Sequence, residues 1–297
     1  MLISNVGGLH RGCQGEEAGR GVYSWKHLER EAIEMKRITL LLLCAAFCVA
    51  AQDWAKERLA KSPRHQEWVT VKHDGRDVQT FVVYPESSRK TPVVVVIHEI
   101  FGMTDWVQEL ADELAEAGYI AIAPDLLSGM APGGGRTKDF PAGGVGEAIR
   151  DLKPEQITAD LNAVADYGKK LPASTGKVFV TGYCWGGSQS FRFATNRADL
   201  AAAFVFYGGP PDKESMARIK APVYGFYGGN DARVDATIPD TQAAMKELGK
   251  TYEPVTNEGA GHGFMRAGED PGNKVEANVK GRNDAWARWK ELLKKGS

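Results

Sequence analysis

The sequence has almost no excess of either charge. Its 37 Lys and Arg residues nearly balance its 38 Asp and Glu residues, which leaves a formal net charge of −1 over 297 residues. Nucleic-acid-binding proteins usually carry an excess of basic residues, so the composition gives no indication of a nucleic-acid partner. Hydrophobic residues make up 43% and charged residues 25% of the chain, as in ordinary soluble globular proteins.

Metal-binding patterns are absent as well. The chain has four cysteines and six histidines, and none of them form a His-x-x-x-His or Cys-x-x-Cys spacing. We therefore expect neither a metal nor another cofactor.

Only one long apolar run occurs, from Ile38 to Ala51, and it is too short to span a membrane. The basic start Met35-Lys36-Arg37 precedes it, and it ends in small residues suited to signal-peptidase cleavage. We predict a signal peptide at 35–51, a non-native upstream extension at 1–34, and export to the periplasm or the medium without stable membrane insertion. The alternatives are an uncleaved anchor and a lipoprotein acylated at Cys44 or Cys48. Cleavage would leave Cys184 as the only thiol, without a disulfide partner, which marks it as reactive.

Strands and helices alternate after a charged segment at 52–66, which we expect to be a linker. Alternating segments at 68–71 and 78–84 flank the turn signal Asp74-Gly75 and predict an antiparallel hairpin. The β-branched run at 92–98 is apolar on both faces, as in a buried parallel strand. Further strands are predicted at 119–123, 177–181, 202–207, 223–227 and 252–255.

The predicted helices lie near 104–117, 154–171, 188–196, 241–248 and 275–293, and a Gly- and Pro-rich loop or lid is predicted at 128–149. In the last helix we expect Val279, Trp286, Trp289 and Leu293 to be buried. The alternation predicts an α/β fold, with a mainly parallel sheet covered by helices on both faces. We expect a single domain at 67–297 and a monomer.

The stretch Gly182-Tyr183-Cys184-Trp185-Gly186-Gly187 lies between a predicted strand and a predicted helix. It matches the nucleophile-elbow pattern G-x-S-x-G, with Cys in place of Ser. A helix that begins beside the thiol favours a thiolate, because its free N–H groups and dipole stabilise negative charge. The alternative is a buried structural cysteine beside a glycine-rich turn.

A thiol nucleophile needs a base and a group that orients the base. Gly261-His262-Gly263 follows the last predicted strand, and Asp231 follows the strand before it; Asp235 is the rival acid. The order nucleophile, acid, histidine is that of α/β-hydrolases. His98 ends a central strand, and we expect it to be packed and hydrogen-bonded rather than catalytic.

Glu99 follows His98, at the strand whose next loop supplies an oxyanion-hole amide in α/β-hydrolases. Either Glu99 is a solvent-facing carboxylate at a strand end, or it lies beside the thiol and can accept its proton.

Four motifs together resemble the dienelactone hydrolase family across essentially the whole predicted domain. They are Glu99-Ile100-Phe101-Gly102, the stretch around Cys184, Gly229-Asn230-Asp231, and the segment 259–266 around His262. The resemblance implies an α/β-hydrolase fold, with Cys184 as nucleophile, His262 as base, Asp231 as its orienter and Glu99 as a carboxylate that helps to ionise the thiol. It also implies an oxyanion hole formed by the amides of Ile100 and Trp185, and Arg266 as a ligand of the substrate carboxylate.

The chain departs from the family at two points. The segment that carries the second carboxylate-binding arginine is remodelled, so neither Arg136 nor Arg150 can be aligned with it, and a signal peptide is unlike the cytoplasmic members. We expect a hydrolase of small esters or lactones, dienelactone-like and carboxylate-bearing. The alternatives are a general carboxylesterase or peptidase of the same fold, a non-catalytic binding domain, and a redox-sensing thiol.

Overall fold

The computed structural model describes residues 53–297, and these residues form one eight-stranded sheet. The strand order is β1 (Gln66–His73), β2 (Arg76–Val83), β4 (Ile120–Pro124), β3 (Thr91–Ile97), β5 (Ser174–Tyr183), β6 (Leu200–Phe206), β7 (Val223–Gly228) and β8 (Tyr252–Asn257). The pairs β1–β2 and β2–β4 are antiparallel and the other five pairs are parallel, which confirms the predicted mainly parallel sheet. The predicted signal peptide and upstream extension, with Cys44 and Cys48, lie outside the described residues.

The helices of this region cover both faces of the sheet. They are α1 (Asp53–Ala60), α2 (Asp105–Glu116), α3 (Gly144–Asp151), α4 (Pro154–Lys170), α5 (Trp185–Asn196), α6 (Lys213–Met216), α7 (Ala232–Asp235), α8 (Ile238–Glu247), α9 (Phe264–Glu269) and α10 (Glu276–Gly296). Within residues 53–297, no helix combines the length and the apolar composition needed to cross a bilayer.

Strand β3 shows why the central sequence is apolar on both faces. Val93 and Val95 belong to the core that includes α4, whereas Val94 and Val96 belong to the core on the opposite face, with α2 and α10. Each of these four side chains is fully buried. Successive residues of a strand point to opposite faces, so a strand covered on both sides needs an unbroken apolar run.

The hairpin turn between β1 and β2 also follows from its two residues. Asp74 and Gly75 have φ angles of 44° and 75°, so both adopt the left-handed conformation. Asp-Gly is the pair that tolerates two positive φ angles, and such turns match the twist of the flanking strands.

Two segments are more helical than the sequence suggested. Residues 53–60 lie in the expected linker but form α1, whose Arg58 pairs with Glu109 and Glu113 of α2. The predicted lid contains α3, which begins after Gly143 and buries Ala148 and Ile149. Both helices are short, and tertiary partners rather than local propensity stabilise them.

The expected burial of Val279 is wrong, because this side chain of α10 is 41% exposed. Trp289 and Leu293 are fully buried, as predicted. The first turns of α10 instead turn polar residues inward: Asn278 accepts a hydrogen bond from the Gly261 amide at 2.9 Å, and Arg282 pairs with acidic residues. This end of the helix therefore supports the loop that carries His262.

Candidate active site

Cys184 lies at the top of a sharp turn between β5 and α5. Its φ of 55° and ψ of −117° are unusual for a residue with a side chain. A Cβ atom added to Gly182 would lie 1.9 Å from the carbonyl oxygen of Gly186, and one added to Gly186 would lie 2.3 Å from the carbonyl oxygen of His98. Only glycine fits at these two positions, so the spacing of the motif follows from backbone contact.

The structure brings the thiol of Cys184, the imidazole of His262 and the carboxylate of Asp231 into one hydrogen-bonded chain. His262 Nε2 lies 3.0 Å from Cys184 Sγ, and His262 Nδ1 lies 2.5 Å from Asp231 Oδ2. Asp231 follows β7 and His262 follows β8, so both reach the site from the carboxyl ends of parallel strands. The rival acid, Asp235, forms no hydrogen bond with His262, and its Oδ1 is buried without a hydrogen-bond partner in the described part of the chain.

The electrostatics of this chain favour a protonated imidazole. The pKa of His262 is raised from 6.5 to about 9, chiefly by its hydrogen bond with Cys184 and, next among the raising contributions, by its hydrogen bond with Asp231. Burial acts in the opposite direction but does not prevail. An imidazolium beside a sulfur stabilises the thiolate, which is the nucleophilic form of cysteine.

Glu99 is in the site and is not the solvent-facing carboxylate of the first alternative, because it is only 2% exposed. Its Oε2 accepts a hydrogen bond of 2.8 Å from Arg266 Nε. Burial raises the pKa of Glu99, and Arg266 and then His262 oppose that rise. In this conformation the carboxylate is thus paired with the arginine rather than with the thiol.

The amides of Ile100 and Trp185 are both unused donors. Neither N–H forms a hydrogen bond with another residue of the described chain, and Trp185 begins a helix, where N–H groups have no intrahelical acceptor. β3 and β5 are parallel neighbours with Ile97 opposite Gly182. The loop after β3 and the turn after β5 therefore start from neighbouring positions at the same edge of the sheet.

The two unaligned arginines have different surroundings. Arg136 stacks on the ring of Trp68 with its guanidinium carbon 3.5 Å from the ring centroid, and Arg150 is an exposed residue of α3. Among the described residues, neither forms a hydrogen bond or ion pair with Cys184 or His262. Arg266 is the arginine that reaches the site, and its guanidinium also lies 5.4 Å from the ring centroid of Phe101.

Tyr207 is a site residue that the sequence analysis missed. It is 1% exposed, has a φ of 41°, and its ring lies edge-on to His262 with the centroids 5.1 Å apart. Burial, together with the nearby charges of Glu99 and Cys184, raises the pKa of its hydroxyl well above the ordinary value. Its place at the carboxyl end of a predicted strand was the available signal.

One group of carboxylates in the described region is compact enough to hold a metal ion: Glu109, Glu113 and Glu269. Arginines already occupy these carboxylates. Arg58 lies 3.0 Å from Glu109 and 2.9 Å from Glu113, and Arg282 lies 2.5 Å from Glu269 and also pairs with Glu113. We interpret this acidic cluster as a junction of arginine–carboxylate contacts between α1, α2, α9 and α10, in which burial and the neighbouring carboxylates raise the pKa of Glu109 to about 10 and keep it protonated.

A family model described as "Dienelactone hydrolase family" matches residues 78–297. Proteins named "Putative carboxymethylenebutenolidase" are 30% identical in Salmonella typhimurium, over 75% of this chain and 84% of that protein, and 29% identical in Saccharolobus solfataricus, over 75% and 96%. The crystal structure of a dienelactone hydrolase-like promiscuous phosphotriesterase from metagenomic libraries superposes with a TM-score of 0.67 and 23% identity, over 78% of this chain and 98% of that one.

Proposed function

The chain belongs to the dienelactone hydrolase family and is an ester-bond hydrolase, and on this premise we propose that it cleaves small esters or lactones through Cys184, His262 and Asp231. The observation that carries the proposal is the hydrogen-bonded chain from Cys184 Sγ through His262 to Asp231. This arrangement supplies a nucleophile, a proton carrier and a group that fixes the imidazole tautomer.

The first half of the reaction forms an acyl-enzyme. The Cys184 thiolate attacks the acyl carbon, and the amides of Ile100 and Trp185 donate hydrogen bonds to the oxygen that becomes negative. When the tetrahedral intermediate collapses, the ester C–O bond breaks and His262 gives its proton to the leaving oxygen. The products of this step are a thioester at Cys184 and an alcohol, or an open-chain alcohol still attached to the acyl group when the substrate is a lactone.

The second half is hydrolysis of the thioester. Neutral His262 removes a proton from water, the hydroxide adds to the acyl carbon, and the thiolate leaves.

A thiolate is a good leaving group, so the tetrahedral intermediate of acylation tends to collapse backwards to the intact ester. A lactone whose enol product becomes a ketone removes that difficulty, and for this reason we favour lactones over linear esters. Burst kinetics on matched lactone and linear-ester substrates test the preference, and equal steady-state rates would contradict it.

Arg266 supports a substrate that carries a carboxylate. Its guanidinium reaches the site, but Glu99 already neutralises its charge. A substrate carboxylate would compete with Glu99 for the arginine, and the displaced Glu99 could accept the proton of the fraction of Cys184 that is still a thiol. Arg266→Ala should therefore reduce rates on anionic esters much more than rates on neutral esters. Equal losses on both would favour a general carboxylesterase or peptidase.

The decisive experiment on the reaction is direct detection of the acyl-enzyme. Wild-type protein mixed with p-nitrophenyl acetate and quenched with acid should gain the mass of one acetyl group, and Cys184→Ala should not. Alkylation of Cys184 by iodoacetamide provides a second measurement, because an activated thiolate reacts faster than free cysteine at neutral pH. A thiol that neither acylates nor alkylates rapidly would instead indicate a binding domain.

Export and the monomeric state belong to the same proposal. The basic start at 35–37, the apolar run at 38–51 and the small residues at its end support cleavage after Ala51. Amino-terminal sequencing of the protein purified from its native host should then begin at Gln52, and the activity should be found outside the cytoplasm. Size-exclusion chromatography with light scattering tests the monomer.

A further inference from the structure

His98 is fully buried directly after β3, and both of its ring nitrogens have partners. Nδ1 lies 2.8 Å from the carbonyl oxygen of Glu99, and Nε2 lies 3.3 Å from the backbone nitrogen of Leu126. A backbone N–H can only donate, so Nε2 accepts the bond from Leu126 and carries no proton. Nδ1 therefore carries the ring proton and donates it to Glu99. Burial lowers the pKa of His98 and outweighs the opposite effect of Asp125, so the ring stays neutral.

The accepting carbonyl belongs to the peptide unit whose N–H is that of Ile100. In a trans peptide the C=O and N–H bonds point in opposite directions, so fixing the oxygen also fixes the N–H. The amide of Gly102 donates to the same oxygen at 3.1 Å. Two donors thus hold the carbonyl on one side, and the Ile100 N–H is turned away from the His98 ring.

The same imidazole contacts the residue that carries the second amide. The rings of His98 and Trp185 are stacked, with centroids 5.5 Å apart and planes inclined by 16°. The backbones are also in close contact, since the carbonyl oxygen of His98 leaves room for no Cβ at Gly186. His98 is therefore linked to both residues of the proposed oxyanion hole, through the Glu99–Ile100 peptide and through the Trp185 ring.

We propose that His98 is a positioning residue that orients the Ile100 N–H as an oxyanion donor. This inference rests on the proposed acyl-enzyme reaction. His98 acts through the backbone and not by proton transfer, because its ring is buried and both nitrogens are used within the protein. The competing explanation is that His98 only fills space and stabilises the fold.

Two substitutions separate these explanations. His98→Asn keeps a donor near the position of Nδ1 but has no atom that can reach Leu126. His98→Gln is long enough to accept from Leu126 but loses the donor close to the Glu99 carbonyl. Each variant loses one of the two ring hydrogen bonds and the stacking on Trp185, so they form a matched pair.

The two variants and the wild type are compared in two reactions of the same thiol. Acylation by p-nitrophenyl acetate passes through an oxyanion, and its rate constant is obtained from the time course of the p-nitrophenolate burst. Alkylation by iodoacetamide is a direct displacement that forms no oxyanion, so it reports the thiolate alone. Thermal unfolding of each protein measures the purely structural effect.

We expect His98→Gln to slow acylation by about 10- to 100-fold, part of the effect of removing an oxyanion donor, with alkylation changed by less than about twofold. His98→Asn should recover most of the lost acylation rate at a similar unfolding temperature. Equal acylation in His98→Gln and the wild type would overturn the proposal, as would losses that follow unfolding temperature or appear equally in alkylation. A wild type that forms no acetyl-enzyme would instead overturn the reaction itself.

A measurement on the wild type keeps the test independent of variant folding. NMR of ¹⁵N-labelled histidine should show His98 as the neutral tautomer with the proton on Nδ1 across the range from about pH 5 to about pH 9. A trifluoromethyl ketone takes up the Cys184 thiolate at its carbonyl carbon, and its carbonyl oxygen then becomes an oxyanion. Formation of this adduct should shift the Nδ1–H resonance of His98. An Nε2–H tautomer, or a resonance unmoved by the bound ketone, would refute the role.

Discussion

Removing the sulfur of Cys184 should lower the pKa of His262 by a measurable amount. The pKa of His262 is raised from 6.5 to about 9, and the hydrogen bond with Cys184 is the largest cause. The charge of the sulfur adds a smaller upward contribution. In Cys184→Ala both contributions vanish, while the lowering effect of burial and the raising effect of Asp231 remain. We expect the pKa to fall by about one unit or more, the scale of one charge-assisted hydrogen bond.

NMR titration of the His262 ring protons in the wild type and in Cys184→Ala measures this difference directly. Asp235→Asn is the matched control, because Asp235 lies near Asp231 but forms no hydrogen bond with His262, and it should leave the titration of His262 nearly unchanged. If His262 titrates within about 0.3 unit in the wild type and Cys184→Ala, the thiol does not hold the proton on the imidazole and the reasoning fails.

The raised pKa of His262 predicts different pH profiles for the two halves of the proposed reaction. Acylation by an alkyl ester needs protonated His262, so its rate constant should fall as pH rises through about 9. In the acyl-enzyme the sulfur is part of a thioester and carries no charge, so the pKa of His262 is lower. Deacylation needs the neutral imidazole and should therefore already rise at lower pH. Rapid-mixing experiments measure the pH profiles of the acylation and deacylation rate constants separately. A single midpoint pH shared by both profiles would contradict the argument.

Three further predictions concern the surroundings of the site. Asp231→Asn should lower kcat by about 10²- to 10⁴-fold, because the imidazole loses its tautomer-fixing partner, whereas Asp235→Asn should retain activity within about threefold. Gly182→Ala places a Cβ 1.9 Å from a backbone oxygen and should cost about 3 kcal/mol or more in urea unfolding, whereas Gly146→Ala in α3, with its nearest atom at 3.8 Å, should be neutral or stabilising. Burial and the neighbouring carboxylates raise the pKa of Glu109 from 4.5. At a pH above the pKa of the unfolded state, the folded protein therefore holds an extra proton, and its free energy of unfolding falls with rising pH by up to about 1.4 kcal/mol per pH unit. Glu109→Gln should reduce this slope, as measured by urea unfolding between about pH 6 and pH 9.

Features set by local backbone chemistry were predictable from the sequence. The elbow around Cys184 needs glycines where backbone atoms come into contact, and the Asp74-Gly75 turn needs two positive φ angles. The order of Cys184, Asp231 and His262 along alternating strands and helices then places all three at one edge of a parallel sheet.

Partners chosen by tertiary contact were not predictable in the same way. The sequence gives the position of Glu99 but not its pairing with Arg266, which lies 167 residues further along the chain. Helix α1 forms in a charged segment because Arg58 finds buried carboxylates on α2. Val279 follows the apolar spacing of α10 but is exposed, because that end of the helix faces polar groups. In each case the deciding residue is distant in sequence, and periodicity carries no information about it.

Helix α9 connects these distant contacts to the proposed chemistry. It begins directly after the loop that carries His262, and its Arg266 binds the buried carboxylate of Glu99. Its last residue, Glu269, belongs to the acidic cluster and pairs with Arg282, and Arg58 of α1 pairs with the other two carboxylates of that cluster. The position of the imidazole is thus held from two ends, by the site and by ion pairs that extend to the first described helix. Since α1 precedes the region matched by the family model, a segment from outside that match supports the proposed site in this chain.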